Sequence, residues 1–512
     1  MTEVGSFSLV LHSHLPWVAH HGSWPVGEEW LHQAFSGSWQ RVVAVLESLA
    51  VQGHREVATV GLTPVTAAML DDPYCLSELH GWAGRRLLRA EELALRPGAG
   101  DLGIIAAHEH AEARRSLADL EQRWLTGGGS GVLRPLVDAG VIELLGGPAT
   151  HPFQPLLTDR FAQAQLSTGL ADATVRLGRR PEGIWAPECG YAPGLEELYR
   201  QQGITHFVVD GPALGGHTGS GVFVGDSDVV AFGRDRPITE RVWSARTGYP
   251  AGGAYRDFHT LDADSGFRRA RVTGLEVPSE DKRPWDPQRA SASALRDARE
   301  FVERVVSRLD ELAQASPDGR EPMVVAAFDT ELFGHWWYEG PEFLSAVLTR
   351  LPLAGVRLRT LSGALAAGLV DRRVELGASS WGAGQDWRVW DNDRVGDLND
   401  DIAGVQKRLF ELLDGRSAGA GGHGGEDGWV ARDEVGDQLA RQAMLTSSSD
   451  WAFMVTRDSA AEYARFRSAE HAAAFDRLAR LVETGDRRGA VAEARRQRER
   501  DGLFGHVDAR TF

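Results

Sequence analysis

Apolar and β-branched residues recur in short continuous runs at 6–11, 57–62, 141–145, 183–185, 207–209, 324–328 and 356–358. The run at 324–328, continuous and wholly apolar, is of the kind a strand buried on both faces requires. Between most of the runs, apolar residues fall at three- and four-residue spacing, which predicts helices over 101–125, 160–177, 293–315 and 342–351. Strand alternating with helix over this length predicts an α/β fold around a parallel sheet, open or closed into a barrel. The polar stretch 215–288, broken by Gly and Pro, interrupts the alternation and is expected to carry loops over the sheet edge. After about Leu376 the pattern becomes helical only, with helices expected over 398–413, 429–445, 460–483 and 489–500. The Gly-rich segment 415–428 between the first two cannot bury a core and is expected to be flexible.

Composition narrows the chemistry. The chain has 512 residues, enough for two or three units, and a net charge of −17. That charge argues against nucleic acid or an anionic membrane as partner, since both call for basic patches. Two cysteines, Cys75 and Cys189, make no framework, and a cytoplasmic location follows as the expectation. No apolar run approaches the ~20 residues of a membrane span.

The chemistry-bearing residues sit where apolar runs end. The run at 324–328 leads into Asp329, Glu331, His335, Trp336 and Trp337; the first run delivers H-S-H-L-P, with His12 and His14 on one side of a strand end. Such an H-x-H can hold a metal, bind sugar hydroxyls or satisfy buried backbone. Trp17, Trp24 and Trp30 follow closely. The run at 141–145 enters Gly146-Gly147 and presents His151 and Gln154. The run at 183–185 ends in Trp185 and then Glu188. A lone glutamate after a strand is an ordinary helix cap, but Glu188 paired with Asp329 would be the carboxyl pair of glycosidic chemistry. Sixteen tryptophans, among them Trp381 and Trp390, offer flat faces for stacking on sugar rings; a Trp-rich core is the other reading.

In order, H-S-H-L-P, G-G-P-A-T-H-P, I-W-A-P-E-C-G-Y, F-D-T-E-L-F-G-H-W-W and S-S-W-G resemble the five signature regions of glycoside hydrolase family 57. Within it the chain is most similar to the 1,4-α-glucan branching enzymes of the actinobacterial type, over essentially its whole length. The resemblance implies a distorted (β/α)7 TIM-like barrel over 1–375, with an inserted loop and helical subdomain at about 215–320. A C-terminal all-α domain over 376–512 would close the glucan cleft. It implies Glu188 as nucleophile and Asp329 as general acid/base. His12, His14, Trp30, His151, Trp185, His335, Trp336, Trp381, Trp390, Asp450 and Trp451 would line the substrate. It implies no cofactor and no metal, and α-glucan donor and acceptor chains as partners. The segment 242–258 compares with a loop whose tyrosine shields the intermediate from water; Tyr249 is the candidate, with Tyr255 as the other tyrosine. Hydrolysis (α-amylase) or transfer to a 4-hydroxyl (4-α-glucanotransferase) would use the same residues. A metal-dependent carbohydrate hydrolase or deacetylase, and a non-catalytic glucan-binding protein, are the more distant alternatives.

Overall fold

The computed structural model describes residues 4–23, 26–96, 100–316, 319–420 (backbone only from 416) and 432–512. Trp24, most of the Gly-rich 415–428 segment and the first residues of the 429–445 stretch lie outside the described residues.

All seven apolar runs form strands of one sheet: β1 (Gly5–Ser13), β2 (Ala58–Leu62), β3 (Ile142–Gly146), β4 (Gly183–Ile184), β5 (His206–Asp210), β8 (Met323–Asp329) and β9 (Val356–Leu358). The sequence reading left out three more, β6 (Gly221–Val224), β7 (Val230–Arg234) and β10 (Val370–Val374). The stretch 215–288 therefore begins with two strands of the sheet and helix Arg236–Trp243 before it becomes mainly loop. The order is β10-β6-β7-β5-β4-β3-β2-β1-β8, parallel except for β6 against β7. The expectation of a parallel α/β sheet holds.

β1 is the centre, and every residue in it is buried. It pairs with β8 along Ser6–His12, and its opposite side is shared, with β9 taking Gly5–Phe7 and β2 taking Val10–Ser13. A strand covered on both edges and both faces favours small or apolar side chains, and β1 reads G-S-F-S-L-V-L-H-S, with apolar Phe7 and Leu9–Leu11 beside the small Ser6 and Ser8. The sheet also curls. At the end of β7 the Asp235 N–H donates to the Val325 carbonyl of β8 at 2.8 Å, so strands remote in the order approach each other.

Helices Glu28–Ala34, Gln40–Val51, Pro64–Asp71, Pro73–Ala94, Asp101–Asp119 and Leu125–Asp138 fill the connections from β1 to β3; helix Pro287–Ala315 precedes β8 and Gly340–Leu353 follows it. From Gly396 onward every described regular element is helical. Helix Glu434–Thr446 is buried along its whole length, packed among its neighbours. No described helix is long and apolar enough to cross a membrane.

Candidate active site

Parallel pairing puts the chemistry at one end of the sheet. His12 of β1 is in register with Asp329 of β8 on one side and Gly61 of β2 on the other. Gly61 lies against both His12 and Trp185: a Cβ there would be in ordinary contact with His12 Nδ1 (3.4 Å) and the Trp185 Cβ (3.5 Å). The His12 and Trp185 rings stack at 4.4 Å between centroids.

Glu188 sits in a single tight turn after β4, where it and Cys189 both take left-handed backbone (φ 60° and 49°). Left-handed backbone is unfavourable for residues with a Cβ and is held here by surrounding structure. The segment after Leu376 supplies that hold: Tyr191 and Ser379 exchange backbone hydrogen bonds, and the Trp381 N–H donates to the Glu188 carbonyl at 2.9 Å. The same pairing aims the Trp381 indole N–H at Glu188 Oε2, also 2.9 Å away.

The other oxygen of Glu188 is reached from the far end of the chain. The 148–152 loop turns through His151 (φ 56°), and its backbone meets the start of helix Ser449–Arg457, where the Ser449 N–H donates to the His151 carbonyl. The Ser449 hydroxyl is thereby placed 2.9 Å from Glu188 Oε1 and 2.9 Å from His151 Nδ1. His151 Nε2 lies 3.1 Å from His12 Nε2, and His12 Nδ1 has no partner. One assignment of protons satisfies all of this. His12 donates to His151, His151 to Ser449 and Ser449 to Glu188, leaving the lone pair on His12 Nδ1 unused.

Electrostatics separates the acids. Burial pushes Glu188 up to about 6, assisted by the Asp450 charge and opposed by the Trp381 and Ser449 hydrogen bonds. Asp329 is raised well above the usual carboxylate range by burial, then by Glu331 and Glu188. It receives no side-chain hydrogen bond among the described residues, so nothing stabilises its ionised form except Arg234. Asp329 is therefore the protonated partner and Glu188 the group that ionises first. Burial also lifts Glu331 to about 7, although its carboxylate accepts from the Trp39 indole at 2.7 Å and the His14 backbone N–H at 3.3 Å. Burial, with the neighbouring imidazoles, holds His12 and His151 well below the usual histidine range. His14 is the exception: burial pulls it down, but Asp450, 2.9 Å from its Nε2, outweighs that and raises it. Burial would likewise raise Asp450, and His14 holds it low instead.

His12, His14, His151, Trp185, Glu188, Asp329, Trp381 and Asp450 are thus brought together. Others are not. Trp390 is 1% exposed, stacked on Phe153 at 4.6 Å, and cannot offer a face to a sugar. Trp451 is equally buried, its indole N–H spent on the Leu445 carbonyl. Both are core residues, correcting their expected contact with substrate. Tyr249 is buried against Trp337, Phe301 and Phe343 with its hydroxyl on Glu300, and Tyr255 is buried with its hydroxyl on Asp297; neither is free to cover a site. Trp30 is half-buried beside the Trp390 cluster. His335 and Trp336 lie past Asp329 on the rim of a separate cavity.

Sequence reasoning passed over Ser449, Arg234 and Trp243, and it noted Glu331 without giving it a role. Arg234 is buried at the end of β7, bonded to Asp210 at 2.9 Å with its guanidinium 5.6 Å from the Trp381 ring. Trp243 is over a third exposed and stacks on Trp381 at 6.3 Å. His14, His151 and Asp450 bring one ligand atom each within 4.8 Å of one another, as a metal would need. The His14 and His151 rings, however, stack at 3.8 Å with planes 22° apart, so their in-plane lone pairs run side by side rather than converge on an ion.

Comparison with known proteins brings sequence evidence to this geometry. The description "Glycosyl hydrolase family 57" matches residues 8–367, and "1,4-alpha-glucan branching enzyme, C-terminal" matches 424–512. A probable 1,4-alpha-glucan branching enzyme of Mycobacterium tuberculosis is 49% identical, over 99% of this chain and 98% of its own. The crystal structure of a GH57-type branching enzyme from Pyrococcus horikoshii superposes with a TM-score of 0.90 at 32% identity, covering 99% of this chain and 96% of that one. An α-amylase of Thermotoga maritima, AmyC, shares the fold alone, with a TM-score of 0.84 at 24% identity over 99% of this chain and 98% of that one.

Proposed function

The chain belongs to glycoside hydrolase family 57, and from that premise we infer that it is a 1,4-α-glucan branching enzyme. It cuts an α-1,4-linked glucan and transfers the severed segment to a 6-hydroxyl, making an α-1,6 branch. The observation that carries the mechanism is the unequal environment of two buried acids. Glu188 has both oxygens hydrogen-bonded, while Asp329 lacks such donors and keeps its proton.

In our reading, Glu188 attacks the anomeric carbon and the C1–O4 bond breaks as Asp329 passes its proton to the leaving oxygen. The glycosyl group is then an ester of Glu188. Asp329, now a carboxylate, takes the proton of the acceptor 6-hydroxyl, whose oxygen attacks C1 and releases Glu188. Two displacements retain the anomeric configuration. The charge that develops on the sugar sits beside Asp450, ion-paired to His14, and against the Trp381 face. The Ser449 and Trp381 hydrogen bonds hold both Glu188 oxygens in place for the attack.

We further read the curled sheet as a distorted (β/α)7 barrel of β1–β5, β7 and β8, and the helices after 375 as a domain closing the glucan cleft. Donor and acceptor α-glucans are its substrates, and two buried free cysteines suit a cytoplasmic location.

Incubation with amylose, followed by a debranching enzyme, tests the reading. Branching leaves the number of reducing ends unchanged during the incubation, and debranching then releases new short chains. A rise in reducing ends without new branches would make the protein a hydrolase, and redistributed linear chains would make it a 4-α-glucanotransferase.

A further inference from the structure

Past Asp329 the chain turns through Gly334 to Trp336, and there a cavity of about 90 Å³ opens that contains neither Glu188 nor Asp329. Four arginines line it, Arg41, Arg86, Arg256 and Arg268, on a protein whose net charge is −17. The carboxylates on the same wall are already engaged: Glu109 with Arg86 and Arg256, Asp257 with Lys282, and Glu112 with Arg115. Arg41 and Arg268 form no ion pair among the described residues. Arg268 spends only its Nε–H, on the Phe258 carbonyl at 2.6 Å, and rests 4.6 Å from the Phe258 ring centroid. Arg41 lies 4.4 Å over the Tyr338 ring, with one long bond (3.5 Å) to the Gly37 carbonyl.

Two neutral donors point the same way. The Ser36 hydroxyl on this wall is buried without a partner, and His335 makes no hydrogen bond among the described residues. Burial, with Arg256 and Arg86 nearby, pulls Arg268 down to about 10, outweighing the opposing charges of Glu109 and Asp257. A wall of unspent donors with two guanidiniums that make no ion pair among the described residues fits a ligand with several acceptor oxygens and a negative charge; a neutral glucan would leave both charges unpaired.

The cavity also lies on the route to the chemistry. Trp336, 37% exposed, stands on its rim with its ring 6.2 Å from Trp243; Trp243 stacks on Trp381, which bonds Glu188. Aromatic faces in such a row suit sugar rings, and a space of this size takes one terminal group rather than a chain passing through.

We propose that this cavity is an anchoring subsite for a saccharide end that carries an anionic group, a carboxylate or a phosphate, held by Arg268 and Arg41 with its sugar against Trp336. The proposal rests on the α-glucan reading above and adds a charged terminus to it.

The test uses the full-length Glu188→Gln protein, in which ligands survive, titrated calorimetrically with maltotriose, maltotrionate and maltotriose 1-phosphate. At least one acid should bind about tenfold or more tighter than maltotriose, and the tighter of the two identifies the anion. Adding Arg268→Met should bring the acids to the level of maltotriose, whereas Arg268→Lys should keep part of the preference. Arg41→Met supplies a second route should Arg268→Met not fold. Equal binding of all three ligands, or a preference that survives both Met substitutions, overturns the proposal. Amylose branching by the unsubstituted protein is measured in parallel: branching without an anion preference removes this subsite alone, and absence of branching removes the reading beneath it.

Discussion

Ser449 Oγ lies 2.9 Å from Glu188 Oε1, linking residues 261 apart in sequence, and its other contact is His151 Nδ1. One hydroxyl therefore donates to the acid and accepts from the imidazole, and the acid's ionisation depends on a helix from the last part of the chain. Hydrogen bonds to a charged group contribute about 1.5–3 kcal/mol. Ser449→Ala should lower kcat/KM by roughly 10- to 100-fold and move the acidic limb of its pH profile upward, because the ionised form of Glu188 loses a donor. An unmoved limb would show that Ser449 only fills space.

The rate should be bell-shaped in pH. Glu188, raised to about 6, must lose its proton to attack, so kcat/KM rises through that region. Asp329, raised well above its ordinary range, must keep its proton, so activity falls again at higher pH. The two limbs belong to the coupled set rather than to single residues. Glu188→Gln should remove at least about a thousandfold of activity with the fold intact; Asp329→Asn should abolish the alkaline limb along with most turnover. Retained branching in Glu188→Gln would reassign the nucleophile.

Glu331 makes a prediction about stability instead. Its carboxyl has an ordinary value of 4.5 and about 7 in the fold. Between those values the folded state holds a proton that the unfolded state has released, so this group's contribution is complete below about 4.5 and is lost as pH rises through about 7. Glu331→Gln should match the native protein in acid and exceed it at pH 8 by up to about 3 kcal/mol. Chemical denaturation at several pH values reads this directly, and a difference independent of pH would sink it.

Trp390 and Trp243 should separate cleanly. Trp390→Ala, in the core, should cost about 3–5 kcal/mol of stability. Trp243→Ala, at the exposed end of the aromatic row, should leave Tm almost unchanged and raise KM for amylose by about 2- to 10-fold. A thermal melt and an amylose titration decide both; the reverse pattern would restore Trp390 as a sugar platform.

The strands that sequence revealed were those whose surroundings leave a period-free apolar run. β1 and β8 are covered on both faces and read at once. β10 reads V-D-R-R-V at the sheet edge, with its middle exposed, and β6 and β7 are short strands within a polar stretch. β10 lacks that signal, whereas β6 (G-V-F-V) and β7 (V-A-F-G-R, preceded by Val229) carry it as plainly as 207–209 and were overlooked because the stretch around them is polar and broken by Gly and Pro. The residues at strand ends were legible because strand termini and motif residues coincide. Tryptophans beside polar neighbours were misread: nothing local in W-D-N or S-D-W reveals that Phe153 covers Trp390 or that Trp451 turns inward. Tyr249, the candidate that the resemblance gave for a shielding loop, is packed under helix Pro287–Ala315. Ser449 had no signal to find, because its position is set by backbone contact with the His151 loop and not by the residues around it.

The register of β1 bears on how the molecule is made. β1 finds its longest neighbour, β8, only after more than 300 further residues have been synthesised. Until then one edge of a strand that is buried throughout in the folded protein is open, and contacts so remote in sequence form slowly. Nascent chains should therefore depend on chaperones to shield their N-terminal end during translation. Ribosome-bound chains stalled before β8 should aggregate when released, and those extended past Ser449 should be the first able to fold into an active form.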